Sequence, residues 1–257
     1  MITILNLSDI HLGTINQAQK YFMQIKSDLV NELKIKKLDY IVASGDIANY
    51  STPEDYEASV DLFSQLIDNF MLDSDKVIVV PGNHDLNWDI SKESYKFEYK
   101  DNLSGKLTEG RYILAGDQGA LICDDDLYQQ RFFNFNEYFY KKLFNKDYPL
   151  NFENQAIVHD YNNDKLLFLA LNSCWEIDHE FRDRSGINGE ALTNAFKKII
   201  APQYNGWLKI AVFHHPVSGP QMMKCIDFLE QLSVQGFQII IHGHIHEAIE
   251  GYHKYDS

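Results

Sequence analysis

Val77-Ile78-Val79-Val80-Pro81-Gly82-Asn83-His84-Asp85 is the stretch that decides the fold. Four β-branched apolar residues in unbroken succession suit a strand covered on both faces, where alternation with polar residues is not needed. The run stops at Pro-Gly, a turn signal, and delivers Asn, His and Asp to the strand's carboxyl end. The same design recurs on either side. Ile2 to Leu7 is followed by Asp9 and His11, Tyr40 to Ala43 by Gly45-Asp46, and Leu166 to Leu171 by Asn172-Ser173. Leu208 to Phe213 is followed by His214-His215-Pro216, and Phe237 to Ile241 by His242-Gly243-His244-Ile245-His246. Between these runs Phe22, Ile25, Leu29 and Leu33, then Tyr56, Val60, Phe63, Ile67 and Phe70, then Leu192, Phe196 and Ile199, recur at helical spacing. Thr52-Pro53, Asn188 and Gly219-Pro220 read as helix starts. Strand and helix alternate, which is the α/β pattern.

Two segments depart from this rhythm. Residues 88–126 mix Lys, Glu, Gly and Asp with isolated tyrosines and read as an insertion. From Tyr128 to Phe144 aromatic residues are so dense that a helix docked against the insertion is expected, in preference to a base-stacking platform beside Asp124, Asp125 and Asp126.

The 257 residues carry 23 Lys and Arg against 37 Asp and Glu, a formal charge of −14, which argues against a broad electropositive grip on nucleic acid. Cys123, Cys174 and Cys225 form neither a disulfide framework nor a thiolate zinc site, and read as reduced thiols. No run approaches the roughly 20 apolar residues of a membrane span, and the N-terminus has no signal-peptide pattern. A soluble, cytoplasmic protein is the expectation.

Seven of the ten histidines fall in the short segments at strand ends, and in an α/β sheet the carboxyl ends of strands line one crevice. Oxygen and imidazole ligands without thiolate suit divalent Mn, Fe or Zn. A carboxylate shared by two ions makes a two-metal site, and Asp46, after the flexible Gly45, is placed to be that bridge.

Taken in order, D-x-H, G-D, G-N-H-D, H and G-H-x-H resemble the calcineurin-like metallophosphoesterase superfamily, over nearly the whole chain. The resemblance implies a four-layer α/β/β/α sandwich. It implies two divalent metal ions, the first held by Asp9, His11, Asp46 and His246, the second by Asp46, Asn83, His214 and His244, with His215 only a neighbour. Asn83 would also meet substrate. The reaction implied is hydrolysis of a phosphoester by metal-activated hydroxide, the ions lowering the pKa of a water from about 15.7 toward about 7. His84 is the expected catalytic acid and Asp85 the carboxylate that fixes its tautomer. Asn49 stands where the family often has Asp.

Arg184, in the loop after Leu171, is a further candidate substrate contact, although Glu176, Asp178, Glu180 and Asp183 could pair with it. Cys174 lacks a basic partner in sequence and is not read as a nucleophile. The first reading is therefore a dinuclear phosphodiesterase or phosphatase acting on a nucleotide-like or small phosphoester. Metal-dependent nuclease and a sensor or effector domain of a larger defence or signalling protein are the alternatives. A single domain spanning 1–257 is expected; because the chain stops eleven residues after His246, it is read as the possible N-terminal part of a longer protein with additional C-terminal domains.

Overall fold

The computed structural model describes residues 1–245. In chain order, β1 (Ile4–Leu7), α1 (Ile15–Ser27), β2 (Tyr40–Ser44), α2 (Pro53–Phe70) and β3 (Val77–Val80) come first. Next are α3 (Trp88–Glu93), β4 (Tyr95–Tyr99), β5 (Tyr112–Leu114), β6 (Gly119–Cys123), α4 (Asp125–Gln129) and α5 (Lys141–Phe144). Then follow β7 (Ala156–Tyr161), β8 (Leu166–Leu171), α6 (Gly189–Ile199), β9 (Leu208–Val212), α7 (Phe228–Val234) and β10 (Ile239–Ile241). One sheet is parallel in the order β1-β2-β3; a second has the order β10-β9-β8-β7, parallel except for β7.

Successive residues of a strand point to opposite faces, and here both faces are apolar. Tyr40 and Val42 of β2 and Ile78 and Val80 of β3 meet Phe168, Ala170, Ile210 and Val212 of β8 and β9 in a cluster between the sheets. Their neighbours Ile41, Ala43, Val77 and Val79 face the other way, onto Tyr56, Phe63 and Leu66 of α2. On the far side, Leu167, Leu169 and Ala211 pack against Leu192 and Ala195 of α6 and Leu229 and Leu232 of α7. Helix, sheet, sheet, helix is the four-layer α/β/β/α sandwich that the resemblance implies.

The start of α2 is fixed as its sequence indicates. Thr52 Oγ1 accepts the Asp55 N–H at 3.2 Å, and Asp55 returns a carboxylate oxygen to the N–H groups of Thr52 and Tyr50. Asn188 caps α6 through the N–H groups of Glu190 and Ala191. Gly219-Pro220, by contrast, opens no helix: α7 begins only at Phe228, and Met223 is tied back by its N–H to the Pro216 carbonyl. Leu33 also leaves its predicted face. A wider turn over Asp28–Glu32 breaks the 3.6-residue phase and turns Leu33 outward, 63% exposed.

Residues 88–126 contain α3 and an antiparallel sheet in the order β4-β6-β5. The aromatic stretch after them docks chiefly on α2 rather than on the insertion. Phe135 and Phe139 sit 6.2 and 6.1 Å from the Tyr56 ring, and Phe139 5.5 Å from Phe63. Tyr128, at its start, meets the insertion edge-on to Tyr95.

Candidate metal centre and cleft

The carboxyl ends of β1, β2 and β3 and of β8, β9 and β10 meet at one edge of the sandwich. Past β1 and β2 the two chains remain zipped, with Asp9 N–H donating to the Gly45 carbonyl at 3.2 Å and His11 N–H to the Asp46 carbonyl at 3.0 Å. Asp9, His11, Asp46 and His244 hold φ of 55°, 47°, 53° and 72°, the left-handed region. Each such residue costs on the order of 1 kcal/mol, and strain of this kind gathers where side-chain aim matters more than stability.

Asp46 lies at the centre and is 1% exposed. Its Oδ2 is 3.2 Å from His214 Nε2 and 3.7 Å from His11 Nε2, so one carboxylate oxygen stands between imidazoles from the two sheets. Its Oδ1 accepts the His84 N–H at 2.8 Å. Burial alone would raise the Asp46 carboxyl, but the charge and hydrogen bond of His214 outweigh it and hold the group well below the usual carboxylate range. His214 moves the opposite way, as the Asp46 charge overcomes burial. His214 Nδ1 is 2.9 Å from the Ser44 carbonyl, which requires an N–H there and leaves Nε2 as the face toward Asp46. Approach this close needs glycine. A Cβ on Gly82 would lie 2.1 Å from Asp46 Oδ1, and one on Gly45, at φ 94°, 2.5 Å from His214 Nδ1.

Two sets of side chains among the described residues bring ligand atoms within 4.8 Å of one another, His11, Asp46 and His84, and Asp46, His214 and His244. Asp46 belongs to both. Asn83 Oδ1 is buried beside them without a hydrogen-bond donor among the described residues, an acceptor left over where a cation would satisfy it. These residues fit divalent ions. Asp9 stands outside both sets, its carboxylate accepting the His244 N–H at 3.0 and 3.1 Å and the Ser8 hydroxyl. His246 lies outside the described residues.

His84 Nδ1 sits 2.7 Å from the Asn49 carbonyl, so that backbone oxygen sets the tautomer and leaves Nε2 for the cleft. This corrects the role expected of Asp85. The Asp85 carboxylate is fully buried and accepts the N–H groups of Gly82, Ile47 and Ala48 at 2.8, 3.2 and 3.0 Å and the Tyr56 hydroxyl at 3.3 Å. It joins the loop after β2 to the turn after β3. Burial and then the Asp46 charge push it up to about 6. At position 49 it is the backbone carbonyl that holds His84.

A cleft of about 600 Å³ opens from His84, Asn83 and His244 toward Tyr50, Trp88 and Arg182. Arg184 does not line it. Its guanidinium donates to the Gly110 carbonyl at 2.8 Å and covers the Phe181 ring, which ties the loop to the insertion and does not support the substrate contact expected of Arg184. Arg182 is the arginine on the cleft, and spacing of two in an irregular loop carries no signal to separate them. Ser173 was also missed: its hydroxyl accepts the N–H groups of His214 and His215 and lies 3.0 Å from His215 Nδ1. A hydroxyl just past a fully apolar strand was the available clue. Cys174 does have a basic neighbour, His215 Nδ1 at 3.8 Å. Burial pushes the thiol up and the imidazole down, away from a thiolate–imidazolium pair.

A buried carboxylate between histidines, at the joined strand ends of a four-layer sandwich, defines a metallohydrolase class of site. The chain belongs to the calcineurin-like phosphoesterase family, whose model matches residues 2–248. It is similar to the uncharacterized metallophosphoesterase-like protein YydB of Bacillus subtilis (strain 168), 23% identical over 270 residues that take in 96% of this chain and 49% of YydB. The chain thus spans about half the length of that relative. The chemistry of the family is hydrolysis of phosphoester bonds with divalent metals, and no helix among the described residues is long and apolar enough to cross a membrane.

Proposed function

We propose that the chain is a dinuclear metal-dependent phosphohydrolase acting on small or nucleotide-like phosphoesters. The observation that carries this reading is Asp46 Oδ2 set between His11 Nε2 and His214 Nε2, at 3.7 and 3.2 Å. In this reading His11, Asp46, Asp9 and His246 hold one ion, and Asp46, Asn83, His214 and His244 the other. The ions, when bound, supply Lewis acidity toward a phosphoryl oxygen and bring water to a pKa near about 7. Asn83, at the base of the cleft, completes the ligand set and meets the substrate. His84, its Nδ1–H held by the Asn49 carbonyl, would act in its doubly protonated imidazolium form, giving the Nε2 proton to the leaving alkoxide and remaining as the neutral Nδ1–H tautomer. Ser173 keeps the His214-His215 backbone in place, and Asp85 holds the Asp46 loop against the Gly82 turn.

The test is hydrolysis of bis-p-nitrophenyl phosphate by Mn²⁺-loaded protein, with metal content read by elemental analysis. Asp46→Asn should lose bound metal and activity together. Full activity in that variant would end the proposal.

A further inference from the structure

The far wall of the cleft, away from the Asp46 cluster, carries aromatic rings and an arginine. At about 600 Å³ the cleft lies within the range of roughly 300–1,000 Å³ typical of organic ligands. Trp88 and Tyr50 line that wall, Tyr50 with 71% of its surface exposed. The Arg182 guanidinium carbon lies 5.5 Å from the centroid of the Trp88 ring. Among the described residues Arg182 makes no salt bridge, whereas Asp183, its neighbour on the same rim, is taken by Lys224. A guanidinium set against an indole offers a flat, polarised surface on which a further planar ring stacks. Such surfaces tolerate any nucleobase, because every base presents a π-face.

We infer that Trp88 and Arg182 form a nucleobase platform, so that the substrate is a nucleotide whose phosphate lies at the Asp46 cluster and whose base stacks on the opposite wall. This rests on the proposed binding of phosphate at that cluster. Trp88 and Arg182 act on affinity and choice of substrate, away from the reacting atoms.

Calorimetric titration of the Mn²⁺-loaded protein with adenosine 5′-monophosphate and with ribose 5-phosphate separates base from sugar and phosphate. Wild-type protein should bind the nucleotide about tenfold more tightly, in keeping with stacking on an aromatic side chain. Arg182→Gln and Trp88→Ala should each remove most of that gap while ribose 5-phosphate affinity stays within about twofold. Trp88→Phe, which keeps a ring on the core, should retain it and guards against a folding defect in the alanine variant. Equal affinity for the two ligands, a gap intact in Arg182→Gln, or no binding of either ligand overturns the inference. If the gap is present and depends on Arg182 while bis-p-nitrophenyl phosphate is not hydrolysed, the hydrolytic reading fails and the platform stands.

Discussion

At the residue scale, side chains at the strand ends divide into those that face the cleft and those that hold them. His84 is of the first kind. Replacing it with Gln should lower kcat for a phosphodiester with an alkyl leaving group by about 10²-fold or more, the loss typical of a removed general acid, and lower it far less for bis-p-nitrophenyl phosphate, whose p-nitrophenolate leaves without a proton, with metal content unchanged. A parallel loss of metal would make it a ligand instead, since its ring belongs to the set with His11 and Asp46. Asp85 is of the second kind. Asp85→Asn would turn an amide N–H₂ toward backbone donors and should cost at least about 2 kcal/mol in urea unfolding; an unchanged midpoint would contradict its role as a tie. Asp46, His214 and His244 were legible because strand-end carboxylates and histidines announce themselves, and Asn83 through the resemblance of its G-N-H-D motif. Arg182 was not, because neighbouring arginines in a loop differ only in where the backbone turns them. Nor was the Asn49 carbonyl, since a backbone oxygen has no sequence signature.

At the element scale, β3 and β8 could be read directly because burial on both faces leaves an unbroken apolar run; β2 breaks it only with Ser44 at its end, and β9 keeps it from Ile210 to Val212, after Lys209. β7 could not: His159 and Asp160 interrupt it, and it pairs through β8 alone, antiparallel. The strands of the insertion are three to five residues long and partly exposed, too short for a period to register. His159 gives β7 a measurable signature. Burial and then the Lys146 charge, partly offset by Asp75 and Asp160, lower its pKa from 6.5 to about 4. The unfolded chain therefore binds the proton first, and stability should fall as pH drops from 6.5 toward about 4, with no further loss from this group below that. Urea midpoints across this window should decline less steeply in His159→Gln; identical slopes would show that the imidazole stays accessible to protons in the fold. In β8, Phe168 lies between the sheets with no exposed surface. Phe168→Ala should cost about 3–5 kcal/mol.

At the scale of the whole molecule, the sequence alone could not separate a four-layer sandwich from one open sheet. Inter-sheet and helix-facing positions are equally apolar, so Tyr40 and Ile41 look alike until one meets Phe168 and the other α2. The ordered motifs supplied that distinction through resemblance. The formal charge of −14 also acquires a local meaning. Two divalent ions would add about four positive charges at the Asp46 cluster, making the metal centre rather than a basic surface the place for phosphate. Because an unfolded chain has no such site, Mn²⁺ at about 100 times its Kd should stabilise the fold by about 2.7 kcal/mol for each ion bound. The shift should vanish in Asp46→Asn, and a thermal midpoint indifferent to Mn²⁺ and to chelator would deny a resident metal. The most direct measurement is an anomalous-difference map from crystals of the Mn²⁺-loaded protein. Two peaks roughly 3.5–4 Å apart on either side of the Asp46 carboxylate are predicted, and a map without metal at that carboxylate, or with a single ion there at full Mn²⁺ saturation, would contradict the dinuclear site.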